Sequence, residues 1–327
     1  MRVLFASLAS AGHTYPLIPL AVAVRNAGHD VRFAAGDAVH IPLAANDLRP
    51  FRPADAFYDI YAEDIAPELA RLRPDLVVHE WGLPGVATAA QAAGIPSLWH
   101  GFGRLFPDGM GLDRPTGTGL PHLDICPPSL QDKDFLDSEQ RIPLRPVPYA
   151  EAGERFTGPL IYLTLGTAFG TAELLTAAID GLSLLRGAHL VVATGRVRPE
   201  ELGEVPDNVT VRGWVSQAAL LPHAVLVVHH GGSGTTLGAL AAGVPQLVLP
   251  QGADQFANAD VLTAAGAARS LLPDETTPVA IAEHANALRT VPAHRDAARA
   301  LADEIARMPA PDEVVRHITA SGRLPSP

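Results

Sequence analysis

Short apolar runs alternate with helical patterns in both halves of this chain. Strands are predicted at 2–7, 30–35, 75–79, 96–100, 160–165, 189–193, 208–212, 225–229 and 246–249. Helices are predicted between them, for example at 16–27, 85–93, 172–185, 235–242 and 255–265. When strands are joined through helices in this way, they pair in parallel and the helices cover both faces of the sheet. The pattern therefore predicts an α/β fold with doubly wound parallel sheets.

A proline-rich stretch separates the two α/β halves. It runs from Pro143 to Pro148 and is predicted to be an extended linker. The chain has 327 residues and is 47% hydrophobic, which is enough for two cores. We expect two Rossmann-like domains, 1–143 and 159–308, which are joined by 144–158 and followed by a terminal helix in 309–327.

Composition excludes several classes of function. The formal charge is −11, with 24 basic against 35 acidic residues and no basic run, which argues against a nucleic-acid partner. The single cysteine, Cys126, excludes an internal disulfide and a cysteine-cluster metal site. The first strand begins at once after Met1, with no signal-peptide pattern, and no apolar run is long enough to span a membrane. We therefore expect a cytoplasmic protein with no membrane partner.

The run from Val227 to Leu237 reads as a strand, a glycine-rich turn and the start of a helix. Glycines and hydroxyl residues occupy the turn: Gly231, Gly232, Gly234, Ser233, Thr235 and Thr236. The glycines allow a sharp turn and a close approach to a ligand, and the hydroxyls can cap the helix or bind an oxyanion. A helix N-terminus also suits a phosphate, because it presents free backbone N–H groups and the positive end of the helix dipole. A tight turn that binds no ligand would have the same sequence pattern. The flanking residues are therefore needed to distinguish a ligand-binding turn from a structural one.

The flanks of this turn carry a specific pattern. Trp214-Val215-Ser216-Gln217 lies upstream, Asp254-Gln255 lies downstream, and His230 stands between them. This order resembles the nucleotide-sugar signature of the GT-B glycosyltransferases of natural-product metabolism. The similarity covers nearly the whole chain and is greatest to actinobacterial antibiotic enzymes, especially the calicheamicin (enediyne) type. It implies an N-terminal acceptor domain and a C-terminal nucleotide-sugar domain that face each other across a cleft, with the terminal helix returning to the first domain.

The resemblance implies a set of donor-binding residues. They are Thr167, Trp214, Val215, Gln217, His230, Gly232, Ser233, Gly234, Thr235, Asp254 and Gln255. Trp214 would stack on the nucleobase, the backbone of the next residue would read the base edge, and Gln217 would reach the ribose. His230 would donate to the diphosphate, and Asp254 with Gln255 would bind the sugar hydroxyls. Asp254 can alternatively cap a helix.

The donor is expected to be a dTDP-sugar, used as a co-substrate, with no other cofactor. Plant-type relatives carry a glutamate for the ribose hydroxyls where this chain has Gly238, so one reason to prefer ribose over deoxyribose is gone. His229 and His230 together invite a metal interpretation. However, adjacent strand residues point to opposite faces, and no third ligand stands at a suitable spacing. We expect no metal, because N–H dipoles and a histidine can carry the charge of a leaving diphosphate.

His13 follows the first strand, three residues before Pro16. A histidine in such a loop is more often a hydrogen-bonded surface residue than a catalyst. Gly-His-x-x-Pro, however, resembles the N-terminal motif of the family, in which this histidine is the general base. The resemblance places Glu80 where related enzymes have the aspartate that orients the base, a departure of one methylene. Glu80 can alternatively be an exposed loop residue or line the acceptor pocket, and His79 and His100 are alternative bases.

The acceptor pocket is expected from 36–74 and 104–121. The predicted acceptor contacts are His100, Phe57, Tyr58 and Trp81. An aromatic, apolar pocket suits a polyketide or enediyne aglycone, whereas core packing is the plainer explanation of clustered aromatics. The segment 36–74 is short for the family, and the junctions near 50–51, 114–116 and 155–157 read as abridged. Either the acceptor site is compact or loops are absent from the sequence.

The sequence thus predicts an inverting, metal-independent glycosyltransferase of the hexosyltransferase type. It would move a deoxysugar from a dTDP-sugar to a hydroxyl of a small natural-product aglycone, with His13 as the base and Glu80 as its partner. The alternatives are a nucleotide-sugar epimerase or hydrolase of the same fold and a non-catalytic sugar-nucleotide-binding partner protein. A dinucleotide oxidoreductase is disfavoured, because no Gly-x-Gly-x-x-Gly follows the first strand. A homodimer is kept as the candidate assembly, although the sequence does not determine the oligomeric state.

Overall fold

The computed structural model describes residues 1–105, 121–138, 140–150 and 155–320. The chain divides into two compact units. Unit 1 comprises Met1–Tyr149 together with the segment from Arg307 onward, and unit 2 comprises Ala150–Ala306. The change of unit therefore lies inside the stretch 144–158 that the sequence marks as a linker.

Unit 1 is a parallel sheet with helices between its strands. Its strands are β1 (Arg2–Ala6), β2 (Asp30–Ala34), β3 (Pro50–Phe51), β4 (Leu76–Glu80), β5 (Ser97–His100), β6 (His122–Asp124) and β7 (Arg141–Pro143). The helices along this part of the chain are α1 (Ala11–Thr14), α2 (Ile18–Asn26), α3 (His40–Ala45), α4 (Ala62–Leu72), α5 (Pro84–Ala92) and α6 (Lys133–Ser138). Within the described residues the strand order is β3-β2-β1-β4-β5-β6-β7.

The first sheet reverses its direction of growth between β1 and β4. The chain first builds outward through β2 and β3, and then returns to place β4 on the other side of β1. Ala6 at the end of β1 is in register with His79 near the end of β4. Ligands of doubly wound sheets bind beyond the carboxyl ends of the strands at such a switch point. His13 follows β1, and Glu80 is the last residue of β4.

Unit 2 repeats this architecture. Its strands are β8 (Leu160–Thr164), β9 (His189–Ala193), β10 (Val209–Arg212), β11 (Ala224–His229), β12 (Gln246–Val248) and β13 (Ala268–Ser270). Its helices are α7 (Ala172–Leu182), α8 (Gln217–Leu220), α9 (Ser233–Ala241), α10 (Gln255–Ala264), α11 (Pro278–Thr290) and α12 (Pro292–Arg307). The described strands are parallel in the order β10-β9-β8-β11-β12-β13, so the switch point lies between β8 and β11. The last helix, α13 (Pro311–Ala320), belongs to unit 1 and packs on α2.

The central strands of unit 2 are apolar on both faces, because helices cover the sheet on both sides. Ile161 and Leu163 belong to one core cluster, whereas Leu160 and Tyr162 belong to another. This alternation explains the near-continuous apolar runs of the sequence. Two packed faces hold the ends of β8 and β11 firmly, and these ends support the glycine turns described below. Within the described ranges, no helix combines the length and the apolar character that crossing a bilayer requires.

Some strands were missed by the sequence-based prediction, and some predicted boundaries of helices and strands were wrong. Four short strands, β3, β6, β7 and β13, were not predicted, since two or three residues carry too little pattern to detect. The start of the proline-rich stretch is not a free linker: Pro143 ends an edge strand, and the Leu144 N–H donates to the Asp124 carbonyl at 2.9 Å. An edge is where a sheet tolerates proline. Helix α9 begins at Ser233 rather than at 235, and its N-cap is Gly232, which has no capping side chain.

Candidate active site

His13 and Glu80 meet at the switch point of unit 1. His13 Nδ1 lies 2.7 Å from Glu80 Oε1. The side chain of His13 is 30% exposed, whereas that of Glu80 is fully buried. The loop that carries His13 is braced, because Thr14 Oγ1 donates to the Leu8 carbonyl at 3.0 Å and pairs with the Ser7 hydroxyl at 2.8 Å. The carboxylate therefore reaches the imidazole at full hydrogen-bond distance, which excludes the alternative that Glu80 is an exposed loop residue.

The contact determines the tautomer of His13. An ionised carboxylate only accepts hydrogen bonds, so His13 Nδ1 carries the proton and the ring lone pair lies on Nε2. The ring of Phe102 lies 5.7 Å from that of His13 and 5.7 Å from that of Trp81, centroid to centroid, so aromatic side chains lie beside the imidazole. Glu80 Oε2 is buried and has no hydrogen-bond partner among the described residues, so the contact with His13 is made through Oε1 alone. A partly exposed imidazole that is oriented by a buried carboxylate is the arrangement of a general base.

The alternative bases at neighbouring strand ends are buried. His79 Nδ1 lies 3.0 Å from the Glu80 carbonyl, and burial lowers the pKa of His79 to about 4. His100 is fully buried, and burial likewise lowers its pKa to about 4. Neither ring reaches the surface, so neither can take a proton from a substrate hydroxyl in this structure. The structure therefore does not place His100 where the sequence prediction of an acceptor contact requires it.

The other predicted acceptor residues divide into two groups. Phe57 and Tyr58 are 66% and 53% exposed, whereas Trp81 is buried. Their loop is tied to the carboxyl edge of the sheet, because the Ala9 N–H donates to the Tyr58 carbonyl at 3.0 Å. The Arg52 guanidinium stands 4.2 Å above the Phe57 ring. Exposed aromatics thus lie on a loop that contacts the segment after β1, while most of the predicted pocket segment 104–121, including the junction 114–116, lies outside the described residues.

In unit 2, the turn after β11 is shaped by His229. The Gly231 N–H donates to His229 Nδ1 at 3.0 Å, so His229 Nε2 must carry the proton and donate to Gln246 Oε1 at 2.8 Å. Burial lowers the pKa of His229 to about 3, so the ring is neutral. Gly231 has φ of +95°, a conformation that glycine adopts without strain. Both nitrogens of His229 are occupied by protein partners, so this side chain stabilises the turn.

His230 stands at the switch point of unit 2, after β11 and beside the turn that follows β8. Burial lowers the pKa of His230 to about 4, and a hydrogen bond to the Thr164 backbone opposes part of that shift. The ring is therefore neutral at physiological pH, and a neutral imidazole can still donate one hydrogen bond. The planes of the His229 and His230 rings are nearly perpendicular, at 89°, and their centroids lie 6.3 Å apart.

The hydroxyl and carboxylate groups of the turn mainly bind one another. Ser233 Oγ donates to Asp254 Oδ2 at 3.2 Å, and Asn258 Nδ2 donates to the same oxygen at 2.8 Å and to the Gly231 carbonyl at 2.9 Å. The capping role proposed for Ser233 is wrong, because Ser233 is the first helical residue. Asp254 stands at the N-cap of α10 but makes no side-chain capping bond. This network ties the turn after β11 to α10.

Gln255 is buried, and its carboxamide oxygen accepts from the Gln251 N–H at 2.8 Å and the Gly252 N–H at 3.3 Å. Gln217 Nε2 donates to Thr235 Oγ1 at 3.0 Å and links the start of α8 to α9. In this structure both glutamines support the loops of the site. Their predicted contacts with sugar and ribose stay predictions.

Trp214 and Thr167 lie open at the same sheet edge. Trp214 follows β10 and is 47% exposed, while Val215 after it is buried in the core. Thr167 is exposed after β8. Gly234, in the first turn of α9, would accept a Cβ with no atom within 4 Å. The described structure thus gathers the predicted donor residues at the carboxyl ends of β8, β10, β11 and β12.

Some supporting residues were missed from the sequence. His229 was considered only as a metal ligand, and Gln246 was not singled out. Gly166 follows β8, and its approach to His230 is a tertiary contact between residues distant in sequence. Tyr162, whose pKa burial raises to about 12, is buried beside Gln217 and Thr164. The one sequence signal was a polar residue, Gln246, at the start of an otherwise apolar strand.

The chain is similar to known proteins along its whole length. Residues 180–321 match the model of the family described as "Erythromycin biosynthesis protein CIII-like, C-terminal domain". The L-demethylnoviosyl transferase of Streptomyces niveus is 34% identical over 391 aligned positions, which cover 100% of both chains. The elloramycin glycosyltransferase ElmGT of Streptomyces olivaceus is 32% identical over 391 positions, which cover 100% of this chain and 99% of that one. Since this chain has 327 residues, both alignments leave internal parts of the relative without a counterpart.

A solved structure shows the same similarity in three dimensions. The spinosyn rhamnosyltransferase SpnG, complexed with thymidine diphosphate, superposes with a TM-score of 0.81 and 28% identity, covering 97% of this chain and 100% of that one. The two doubly wound units described above are the Rossmann-like domains of the GT-B fold. This chain belongs to the GT-B glycosyltransferases of natural-product antibiotic biosynthesis.

Proposed function

We propose that this protein is an inverting glycosyltransferase that moves a deoxysugar from a dTDP-sugar to a hydroxyl group of a small natural-product aglycone. His13 is the general base, and Glu80 orients it. The observation that carries the proposal is the 2.7 Å contact between His13 Nδ1 and Glu80 Oε1 at the switch point of unit 1. The predicted donor residues of unit 2 surround the corresponding switch point of the second sheet.

The reaction follows from the tautomer of His13. The acceptor hydroxyl loses its proton to His13 Nε2 while its oxygen attacks the anomeric carbon from the side opposite the diphosphate. The bond from the anomeric carbon to the diphosphate oxygen breaks, and the configuration at carbon inverts. The imidazolium that forms is stabilised by the buried Glu80 carboxylate, because two opposite charges attract strongly where water is excluded. No covalent sugar–enzyme intermediate is required.

Unit 2 supplies the groups that bind the leaving diphosphate. The N–H groups at the start of α9 and the neutral His230 ring carry the developing negative charge. Trp214 offers an exposed face for the nucleobase. The thymidine diphosphate in the SpnG complex supports a dTDP donor. So does Gly238, since a glycine supplies no carboxylate for a ribose 2′-hydroxyl.

Calorimetric titration tests the donor half of this proposal. The full chain is titrated with dTDP, UDP and NAD, and the dTDP titration is repeated with His230→Ala. We expect dTDP to bind more tightly than UDP, no binding of NAD, and a loss of dTDP affinity of about tenfold or more in the variant, since a hydrogen bond to a charged group contributes about 1.5–3 kcal/mol. No binding of dTDP or UDP would overturn the donor site.

Product analysis tests the transfer half. The protein is incubated with dTDP-glucose or dTDP-rhamnose, with and without a phenolic acceptor such as 4-methylumbelliferone. We expect glycoside and dTDP to form together only when the acceptor is present. Free sugar without an acceptor would instead indicate a hydrolase, and an epimerised nucleotide sugar would indicate an epimerase. Binding of dTDP without any turnover across a panel of hydroxylated aromatic acceptors would favour a non-catalytic partner protein.

A further inference from the structure

We propose that Gly166 and Gly232 are positioning residues that hold the His230 ring in its working orientation, because their lack of a side chain leaves room for the imidazole. The inference rests on the proposed function only in that His230 is taken to bind the diphosphate. The positioning itself is a property of the protein without any ligand.

The two glycines enclose the same edge of the imidazole. A Cβ at Gly166 would lie 2.6 Å from His230 Cε1 and 2.7 Å from His230 Nε2. A Cβ at Gly232 would lie 2.9 Å from Cε1 and closer still to Nε2. Real Cβ atoms essentially never approach this closely, so a methyl group at either place must displace the ring or the backbone. The ring edge is thus packed between two backbones, one after β8 and one after β11.

Packing has to orient this ring, because fewer hydrogen bonds hold it than hold His229, and no carboxylate of the described residues binds it as Glu80 binds His13. His13 is oriented by Glu80 at 2.7 Å, and His229 has a protein partner on each nitrogen. His230 Nδ1 is buried and has no hydrogen-bond partner in the described part of the chain, which leaves the hydrogen bond to the Thr164 backbone to hold the ring. An unclamped imidazole could rotate about its side-chain torsions, whose second angle has a broad minimum. The glycine contacts restrict that rotation.

The two glycines differ in a way that makes the inference testable. Gly166 has φ of +71°, so alanine at 166 would strain the backbone as well as strike the ring. Gly232 has φ of −64° and ψ of 139°, an extended conformation open to any residue. The substitution Gly232→Ala therefore removes the space for the ring without backbone strain. Gly213 provides a matched control, because a Cβ there meets no atom within 4 Å.

The first experiment measures the ring itself. Proton–carbon spectra of the histidine Cε1 groups are followed from pH 8 to pH 4 in the wild type, Gly232→Ala and Gly213→Ala, and the His230 signal is identified by its absence in His230→Ala. We expect Gly232→Ala to move the His230 signal and to bring its titration nearer to the ordinary pH of a solvated histidine, because the ring is pushed out. An unchanged signal and titration would overturn the proposal, whether or not dTDP binds.

The second experiment measures the consequence for the ligand. Affinity for dTDP is determined by calorimetry for the wild type, Gly232→Ala, His230→Ala, the double variant and Gly213→Ala. We expect Gly232→Ala to lose most of the affinity that His230→Ala loses, about tenfold or more, and the double variant to bind no worse than His230→Ala. Gly213→Ala should bind as the wild type does.

The outcomes separate the two claims. If Gly232→Ala weakens binding equally in the presence and absence of the His230 ring, the glycine serves the ligand or the turn and the inference is wrong. If Gly232→Ala binds like the wild type, the inference is also wrong. If the wild type does not bind dTDP at all, the proposed donor site fails, and the spectra alone decide whether the glycines position the ring.

Discussion

The two units place a histidine at the same topological position but in opposite surroundings. His13 follows β1 and His230 follows β11, each beside the switch point of a parallel sheet. His13 is partly exposed and bonded to the buried carboxylate of Glu80, which favours a positive charge on the ring. His230 is enclosed by glycines, and burial lowers its pKa to about 4.

The difference shows how one fold can give two histidines different charge states. A carboxylate neighbour prepares an imidazole to accept a proton, whereas burial without a carboxylate keeps it neutral, with one N–H that can donate a hydrogen bond. The backbone topology is the same in both units, so the task of each histidine is determined by a few side chains around it. The proposed functions of base and diphosphate ligand follow from these surroundings.

The largest effect is expected when His13 of unit 1 is replaced. In His13→Ala, glycosyl transfer should fall by about 10²–10⁴-fold, because the general base is removed. The affinity for dTDP should stay that of the wild type, since the proposed donor residues belong to unit 2. Initial rates with dTDP-glucose and 4-methylumbelliferone, measured beside dTDP calorimetry, check both parts. Wild-type rates would remove His13 from the mechanism.

A smaller effect is expected when Glu80, the proposed partner of His13, is replaced. Glu80→Gln keeps the size of the side chain but removes the charge, so transfer should fall by about 10–100-fold, through kcat more than through KM. Glu80→Asp should recover part of the rate, because the charge returns on a shorter side chain. The pH profile of kcat/KM should shift in Glu80→Gln, since the imidazolium loses its counter-charge. If Glu80 only supported the loop, both variants would lower stability and leave the pH profile unmoved.

The smallest effect concerns stability against pH and involves both units. Burial lowers the pKa of His79 and His100 in unit 1 and of His229 and His230 in unit 2, to values of about 3 to 4. Each unfolded imidazole binds protons at a higher pH than the folded one. The stabilisation is therefore complete above about pH 6.5 and is lost as pH falls toward 4.

Between pH 7 and pH 6 the unfolding free energy should fall by less than about 1 kcal/mol for each of these imidazoles, and more steeply below pH 6. Denaturant unfolding at fixed ionic strength, at half-unit steps from pH 8 to pH 5, measures this. Tryptophan fluorescence mainly reports unit 1, because Trp81 and Trp99 lie there and Trp214 is the exposed tryptophan of unit 2. A flat stability profile across this range would contradict the burial of neutral histidines.

Local patterns predicted the parts of the fold that are long and periodic. The strands at β1, β8 and β11 and the helices between them are recognisable because their apolar residues recur regularly. The short strands β6 and β7 are not, since His122, Asp124 and Arg141 interrupt any apolar pattern and Pro143 reads as a linker. These residues become strands because a neighbouring sheet edge offers hydrogen bonds, and that edge exists only after folding.

The residues of the candidate site also differ in how well the sequence predicted them. His13, Trp214 and His230 were identifiable as motif residues from their order in the chain. The inward burial of His100 was not, because a polar residue at a strand end gives no sign of which neighbours will cover it. The roles of Ser233 and Asp254 as partners of each other were also hidden, since their side chains meet only when α10 packs beside the turn.

The sequence alone determined the α/β class, the two halves and the residue types of the site, because periodicity and turn chemistry are local properties of the chain. The tertiary structure decided which of those residues meet. Glu80 reaches His13 only because β4 returns to pair with β1, and Gly166 reaches His230 only because β8 pairs with β11. Contacts between residues far apart in sequence depend on strand order, which no local pattern specifies.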